Sequence, residues 1–107
     1  MNKNRIQQIE NRIIRIKDLL TKMGPMRPGS LTQQYKHPKE KKGSYWQLSY
    51  TRGMRGRSQY VRPEWVAEIR KQIKTYKKFK SLIDEWVDLG IEVSKLRMQL
   101  DKKKSVE

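Results

Sequence analysis

Arg52, Arg55, Arg57 and Arg62 are interleaved with glycines and flat rings in a stretch that also holds Tyr45, Trp46, Tyr50 and Tyr60. Guanidinium forks grip phosphate oxygens or guanine edges, and aromatic rings stack on unpaired bases. That combination is the chemistry of nucleic-acid recognition. For Trp46 and Leu48 a small apolar core is the better reading. The arginines have no such second use, because no acidic residue lies near Arg52, Arg55 and Arg57 in sequence. A solvated positive tip with phosphate as its partner is expected. Lys71, Lys74 and Lys78 recur at helical spacings of 3 and 4, flanked by Arg70, Lys77 and Lys80, with no acid from Lys71 to Ile83. Such a face can track a nucleic-acid backbone, and a merely solvated helix side is an equal alternative. The expected binding set is Arg27, Lys41, Lys42, Arg52, Arg55, Arg57, Tyr60, Arg62, Arg70, Lys71, Lys74, Lys77 and Lys78.

No catalytic constellation accompanies them. The chain has no cysteine, which removes disulfides, thiol nucleophiles and thiolate metal sites, and its single histidine, His37, stands in a polar stretch without a nucleophile pattern. Asp84, Asp88 and Glu92 share a helix face, but without histidines or a second carboxylate helix a solvated face or interaction strip is the better reading. Gly53 and Gly56 lack the lysine and hydroxyl residue of a nucleotide phosphate loop. The expectation is a binding protein, not an enzyme, with no metal and no cofactor.

The charge distribution says where a partner sits. The 107 residues carry 26 Lys and Arg against 11 Asp and Glu, a net charge of +15, and only 35% are hydrophobic. So much like charge on one small domain calls for a polyanionic partner. Net charge is +4 over 1–23, +8 over 24–63 and +3 over 64–107. The middle of the chain is therefore the basic part. No run approaches the roughly 18 apolar residues of a membrane span, and the start lacks a signal-peptide pattern, so a cytoplasmic location is expected, nucleoid-associated if the partner is DNA.

Periodicity supplies the elements that position these residues. Ile6, Ile9, Ile13, Ile16, Leu20 and Met23 alternate spacings of 3 and 4, the seam of a packed helix over 2–23, widened by Ile14 and Leu19 and stopped by Gly24 and Pro25. Pro63 and Glu64 suit the start of a second helix running to about Lys102. Its seam passes Val66, Ile69, Ile73 and Tyr76, then takes one extra three-residue step to Phe79 before Leu82, Trp86, Leu89, Val93, Leu96 and Leu100. Gly90 predicts a kink, or equally a short break with a further helix beyond it. Between the helices, 45–51 alternates Trp46, Leu48 and Tyr50 with Gln47, Ser49 and Thr51, a half-buried strand. Arg52 to Gly56 supplies a longer hairpin loop, and 57–62 returns antiparallel. Residues 36–43 read as a mobile basic loop. Before them, Pro28 and Gly29 suit a type II turn, and Ser30 with Gln33 has capping-box spacing for one short helical turn. A phosphate held there beside Arg27 is the less favoured reading, a plain capped connector the more favoured.

These elements predict an α+β fold, mostly α, in one small domain over 1–107. It comprises an N-terminal helix (1–23), a basic loop with a short turn (24–44), a central β-hairpin (45–62), a long C-terminal helix (63–102) with coiled-coil-like packing, and a tail (103–107). If the first helix folds back along the start of the second, the seam of Leu89, Val93, Leu96 and Leu100 is left for a second copy or a partner helix. Partners are thus nucleic acid first, then a homodimer or larger protein, and not membrane.

The blocks Met26-Arg27-Pro28-Gly29-Ser30-Leu31, Tyr45-Trp46-Gln47-Leu48-Ser49-Tyr50, Tyr60-Val61, Tyr76-Lys77-Lys78-Phe79-Lys80 and Leu82-Ile83-Asp84-Glu85-Trp86 resemble a family of small basic proteins of unknown function from bacteria and archaea. Members are often encoded near transposases and other mobile elements. The resemblance spans about 26–96 and implies context: an accessory factor of a mobile element or nucleoprotein complex. Many members carry a cysteine cluster where this chain has 35–42, so any metal site there is lost. The strand-turn-strand-helix order is also similar to the small hairpin domains with which phage-type integrases grip DNA, an analogy of architecture alone. A DNA-binding accessory protein is therefore expected, with a structured-RNA binder or a coiled-coil adaptor of a nucleoprotein enzyme as alternatives.

Overall fold

A computed structural model describes the backbone of residues 2–106 and the side chains of residues 3–102. In chain order the elements are α1 (Asn2–Thr21), β1 (Ser30–His37), β2 (Lys42–Arg52), β3 (Arg55–Val61), a 3-10 turn (Pro63–Trp65) and α2 (Val66–Val106). The fold is α+β and mostly α, as the periodicity predicts. The chain divides into two compact units, one formed by 1–23 with 79–107 and one by 24–78. The extra three-residue step in the helix seam, from Tyr76 to Phe79, coincides with this division.

In the helical unit, α1 lies antiparallel on the second half of α2. Arg5 pairs with Glu92 at 2.7 Å, Arg12 with Glu85 at 2.6 Å, and Arg97 with Glu10. Ile9, Ile16, Leu82 and Val93 are buried between the two, at the positions the seam predicts, while Ile14 is 64% exposed and does not widen it. The guanidinium hydrogen bonds hold the Glu85 and Glu92 carboxyls below, and the Arg5 and Arg12 groups above, their ordinary pKa values. The seam of Leu89, Val93, Leu96 and Leu100 is therefore not left over. Val93 is buried and the other three are half-buried, because α1 packs on the end of α2 and not on its start. No break occurs at Gly90, and the helix runs on through the expected tail to Val106. The side chains of 103–107 lie outside the described residues. At the other end α1 stops two residues early. The amides of Lys22 and Met23 donate to the carbonyls three residues back, Leu19 and Leu20, tightening the last turn before Gly24.

In the second unit three strands, not two, form an antiparallel sheet in the order β1-β2-β3. The expected helical turn at Ser30–Gln33 and the expected loop over 36–43 are instead β1, the turn Pro38–Lys41 and the start of β2. A single hairpin leaves the second edge of β2 unpaired, and Leu31 opposite Leu48 gives β1 an apolar residue to bury, so pairing overrides the local capping pattern. Gly29 makes this possible. It sits at φ +131°, where an added Cβ would come within 2.8 Å of Leu48 Cδ1 and of the Ser49 carbonyl oxygen. The β2–β3 connection is also tighter than expected. Arg52 pairs with Arg55 across Gly53 (φ 61°) and Met54 (φ 65°), the two positive φ values of a two-residue hairpin turn that follows the strand twist.

The side chains of Leu48 and Val61 meet Val66, Ile69 and Ile73 of α2 in a small core, with Leu31, Trp46 and Tyr50 packed around it. This is the covered face of the sheet.

Candidate nucleic-acid interface

Every expected nucleic-acid-binding residue, from Arg27 to Lys78, falls in the 24–78 unit. That unit holds 14 of the 26 basic residues and three of the 11 acidic ones, a net charge of +11 against +4 for the rest. The ion pairs of Arg5, Arg12, Arg15, Lys22 and Arg97 lie in the helical unit, and among the described residues no lysine or arginine of 24–78 makes one. Two of its arginines lie on aromatic rings instead. Arg27 sits 5.2 Å from the Tyr50 ring centroid and Arg70 4.9 Å from that of Trp46.

The hairpin arginines are exposed, as expected for a solvated tip. Tyr50 pairs with Arg57 and Arg52 with Arg55, so by strand alternation all three arginines project on the covered face of the sheet, at its β2–β3 end. Met54, at the apex between them, is 100% exposed. Lys41, at φ 52°, and Lys42 occupy the opposite end of the sheet, in and beside the β1–β2 turn. The helix cations form a separate group. Val66, Ile69 and Ile73 face the sheet, so at about 100° per residue Lys71, Lys74 and Lys78 turn away from it while Arg70 and Lys77 lie on its flank. The single positive surface expected from the sequence is thus two: arginines at the end of the sheet and lysines along the far side of the helix.

Arg27 is not at a helix start, because no helix begins at Ser30. Its amide donates to the Gln72 carbonyl at 3.2 Å, fastening the segment before β1 to α2. Between β3 and the first turns of α2 lies a cleft of about 390 Å³ lined by Arg27, Gln59, Tyr60, Arg62, Trp65, Ile69 and Gln72, with Val61 at its base. Tyr60 is 60% and Trp65 52% exposed at its edges. Trp65, Gln59 and Gln72 were not marked by the residue-type pattern. Trp65 carries a signal nonetheless, being a tryptophan one residue before the apolar seam begins.

The other face of the sheet is open. Its register is uninterrupted, so rows of three run across it: Ser30, Ser49 and Ser58, then Thr32, Gln47 and Tyr60. Elsewhere, among the described residues, no group of three or more His, Cys, Asp or Glu is gathered to hold a metal ion. Glu92, one of the carboxylates on the α2 face, is engaged by Arg5. No described helix is long and apolar enough to cross a membrane.

No curated protein and no solved structure shows a match to this chain. A family model does match, over residues 6–71, from the seam of α1 through the whole sheet to the first lysine of α2. The chain belongs to the domain of unknown function family DUF6788.

Proposed function

We propose that the 24–78 unit is a nucleic-acid-binding module, with DNA favoured over RNA, and that the protein acts as an accessory factor in a nucleoprotein complex rather than as an enzyme. The observation that carries this is the absence of ion pairs in that unit. Its neighbour in the same chain satisfies arginines with carboxylates, whereas 14 cations of the sheet unit have three acids among them and no ion pair. Unpaired cations gathered at this density repel one another, and phosphates relieve that repulsion. The resemblance to small proteins encoded beside transposases supports a mobile element as the setting and the nucleoid as the location.

Titration of the full chain against duplex DNA, single-stranded DNA and structured RNA at several salt concentrations tests the reading. Engagement of about 4 to 8 phosphates gives a log-log slope of about −4 to −7 on duplex. Replacing Arg52, Arg55 and Arg57 with alanine weakens binding and leaves the helical circular dichroism unchanged. A shallow salt slope, or affinity indifferent to the three substitutions, overturns it.

One observation favours structured RNA as the second reading. The cleft beside Trp65 and Tyr60 offers exposed rings and two arginines, the equipment for an unpaired base and its phosphate. A Trp65→Ala variant that loses RNA affinity but keeps duplex affinity would shift the assignment.

A further inference from the structure

We infer that the face of α2 turned away from α1 is a dimer interface, on which α2 of a second copy of this chain lies antiparallel. At about 100° per residue, Leu82, Leu89, Val93 and Leu96 face α1, so Val87, Ile91, Ser94 and Met98 form a second stripe on nearly the opposite side of the same helix. The stripe repeats at spacings of 4, 3 and 4, the interval at which helices pack on one another. Val87, Ile91 and Met98 are large and apolar, yet each is more than half exposed. Single exposed apolar residues are ordinary on a protein surface. Three in line along about 16 Å of one helix make a seam that α1, packed on the other side, does not cover.

The charges along the stripe point to its occupant. Asp84 and Asp88 flank its start, and Lys95 and Lys102 flank its end. Asp84, Asp88 and Lys95 have no ion-pair partner among the described residues, although Glu85 and Glu92 on the same helix are held by arginines. An antiparallel copy, related by a two-fold axis between Ile91 and Ser94, brings Asp88 beside Lys95 of the other copy and Asp84 beside its Lys102. The symmetry makes each pairing twice. The same register sets Val87 against Met98 and Ile91 against Ser94, a large side chain over a small one at the centre. A parallel copy would place aspartate against aspartate and lysine against lysine.

Other occupants fit less well. Asp84 and Asp88 repel phosphate, which disfavours nucleic acid and an anionic membrane surface alike on this face. A foreign helix would need both the apolar spacing and the reversed order of charge, and this chain carries that complement itself. Three large side chains per copy make a small interface, so the dimer belongs to the reversible class.

The experiment is sedimentation equilibrium of the full chain, freed of nucleic acid, at about 0.15 M salt to screen its general positive charge. Loading from about 1 µM to about 1 mM spans the affinities of a reversible dimer. Wild type is expected to pass from monomer to dimer within that range. Ile91→Asp is expected to weaken association more than about 10-fold while leaving helical circular dichroism unchanged, because the side chain is exposed in the single chain. Asp88→Lys or Lys95→Asp alone is expected to weaken it about 2- to 30-fold, and the two together to restore it, since each reversed charge again meets its opposite. A chain that stays monomeric to 1 mM overturns the inference, as does a dimer indifferent to Ile91→Asp, or a double reversal that fails to rescue the single ones. Each of those results leaves the proposed function standing, because the residues assigned to nucleic acid lie in the other unit.

Discussion

The two units of this chain solve the problem of carrying charge in opposite ways. In the helical unit α1 and α2 set Arg5, Arg12 and Arg97 against Glu92, Glu85 and Glu10, and Asp18 takes both Arg15 and Lys22. In the sheet unit the arginines at the β2–β3 turn face solvent and each other. Exposed ion pairs contribute little to stability, so the difference is not one of folding energy. It is a difference of pairing: five cations of the helical unit are set against carboxylates, those of the sheet unit are not, and the proposed function gives the latter an outside partner. The apolar residues divide similarly. Ile9 and Ile16 are fully buried in one unit and Leu48 in the other, so each has its own core.

The strongest way to break that distinction is to empty one core at a time. Leu48→Ala and Ile16→Ala each remove a fully buried side chain and are expected to cost about 2–5 kcal/mol. Hydrogen exchange should show Leu48→Ala stripping protection from 30–61 while 5–20 stay protected, and Ile16→Ala doing the reverse. Uniform loss of protection in both variants would mean that α2, common to both units, couples them into one cooperative body. The same variants sharpen the functional comparison. Leu48→Ala should abolish nucleic-acid binding, and Ile16→Ala should spare it as long as the sheet stays folded.

The helices were legible in the sequence because their signal is long and periodic: Ile6 to Met23 and Val66 to Leu100 each repeat the 3 and 4 spacing several times. The β2 strand was legible for the same reason, in the alternation of Trp46, Leu48 and Tyr50. β1 was not. Its residues Ser30 to His37 include one aliphatic side chain, Leu31, and the capping pattern of Ser30 with Gln33 is a purely local cue. What makes it a strand is a non-local pairing of Leu31 with Leu48, which no window around Ser30 contains. The seam beyond Trp86 failed for a related reason. Periodicity identifies an apolar stripe but not the stretch of partner that covers it; the exposed pairs Arg5–Glu92 and Arg12–Glu85 mark the register in which α1 lies without setting it. The arginines were found by type alone. Their separation from the helix lysines needed the direction of the Ile69 and Ile73 face, and the open sheet face needed β1.

Gly90 gives a smaller and cleaner probe. It sits within the continuous helix α2, and an added Cβ would meet nothing within 4 Å. With helical backbone and open space, Gly90→Ala is expected to stabilise the helical unit by about 0.5–1 kcal/mol, partly by restricting the unfolded chain. Thermal unfolding followed at α1 amides should rise while nucleic-acid affinity stays constant. Destabilisation would show that Gly90 bends in solution.

The smallest effect expected separates the units by pH. Glu85 and Glu92 have folded-state pKa values below the ordinary glutamate value because Arg12 and Arg5 donate hydrogen bonds to their carboxylates. A depressed folded-state value means the contribution is complete above the ordinary glutamate range and is lost as the pH falls through that range to the folded values. Acid should therefore loosen the α1–α2 pairing, whereas among the described residues of 24–78 no carboxylate is held by a cation and none is available to be lost. Because both pairs are solvent-exposed, screening keeps the change small, and high salt should reduce it further. Hydrogen exchange compared at pH 6 and pH 3.5, after correction for intrinsic rates, should show protection falling more at 5–20 than at 45–61. In the Glu85→Gln, Glu92→Gln double variant that difference should shrink. Equal losses in the two regions at pH 3.5 would assign the acid response to the chain's overall positive charge and not to these pairs.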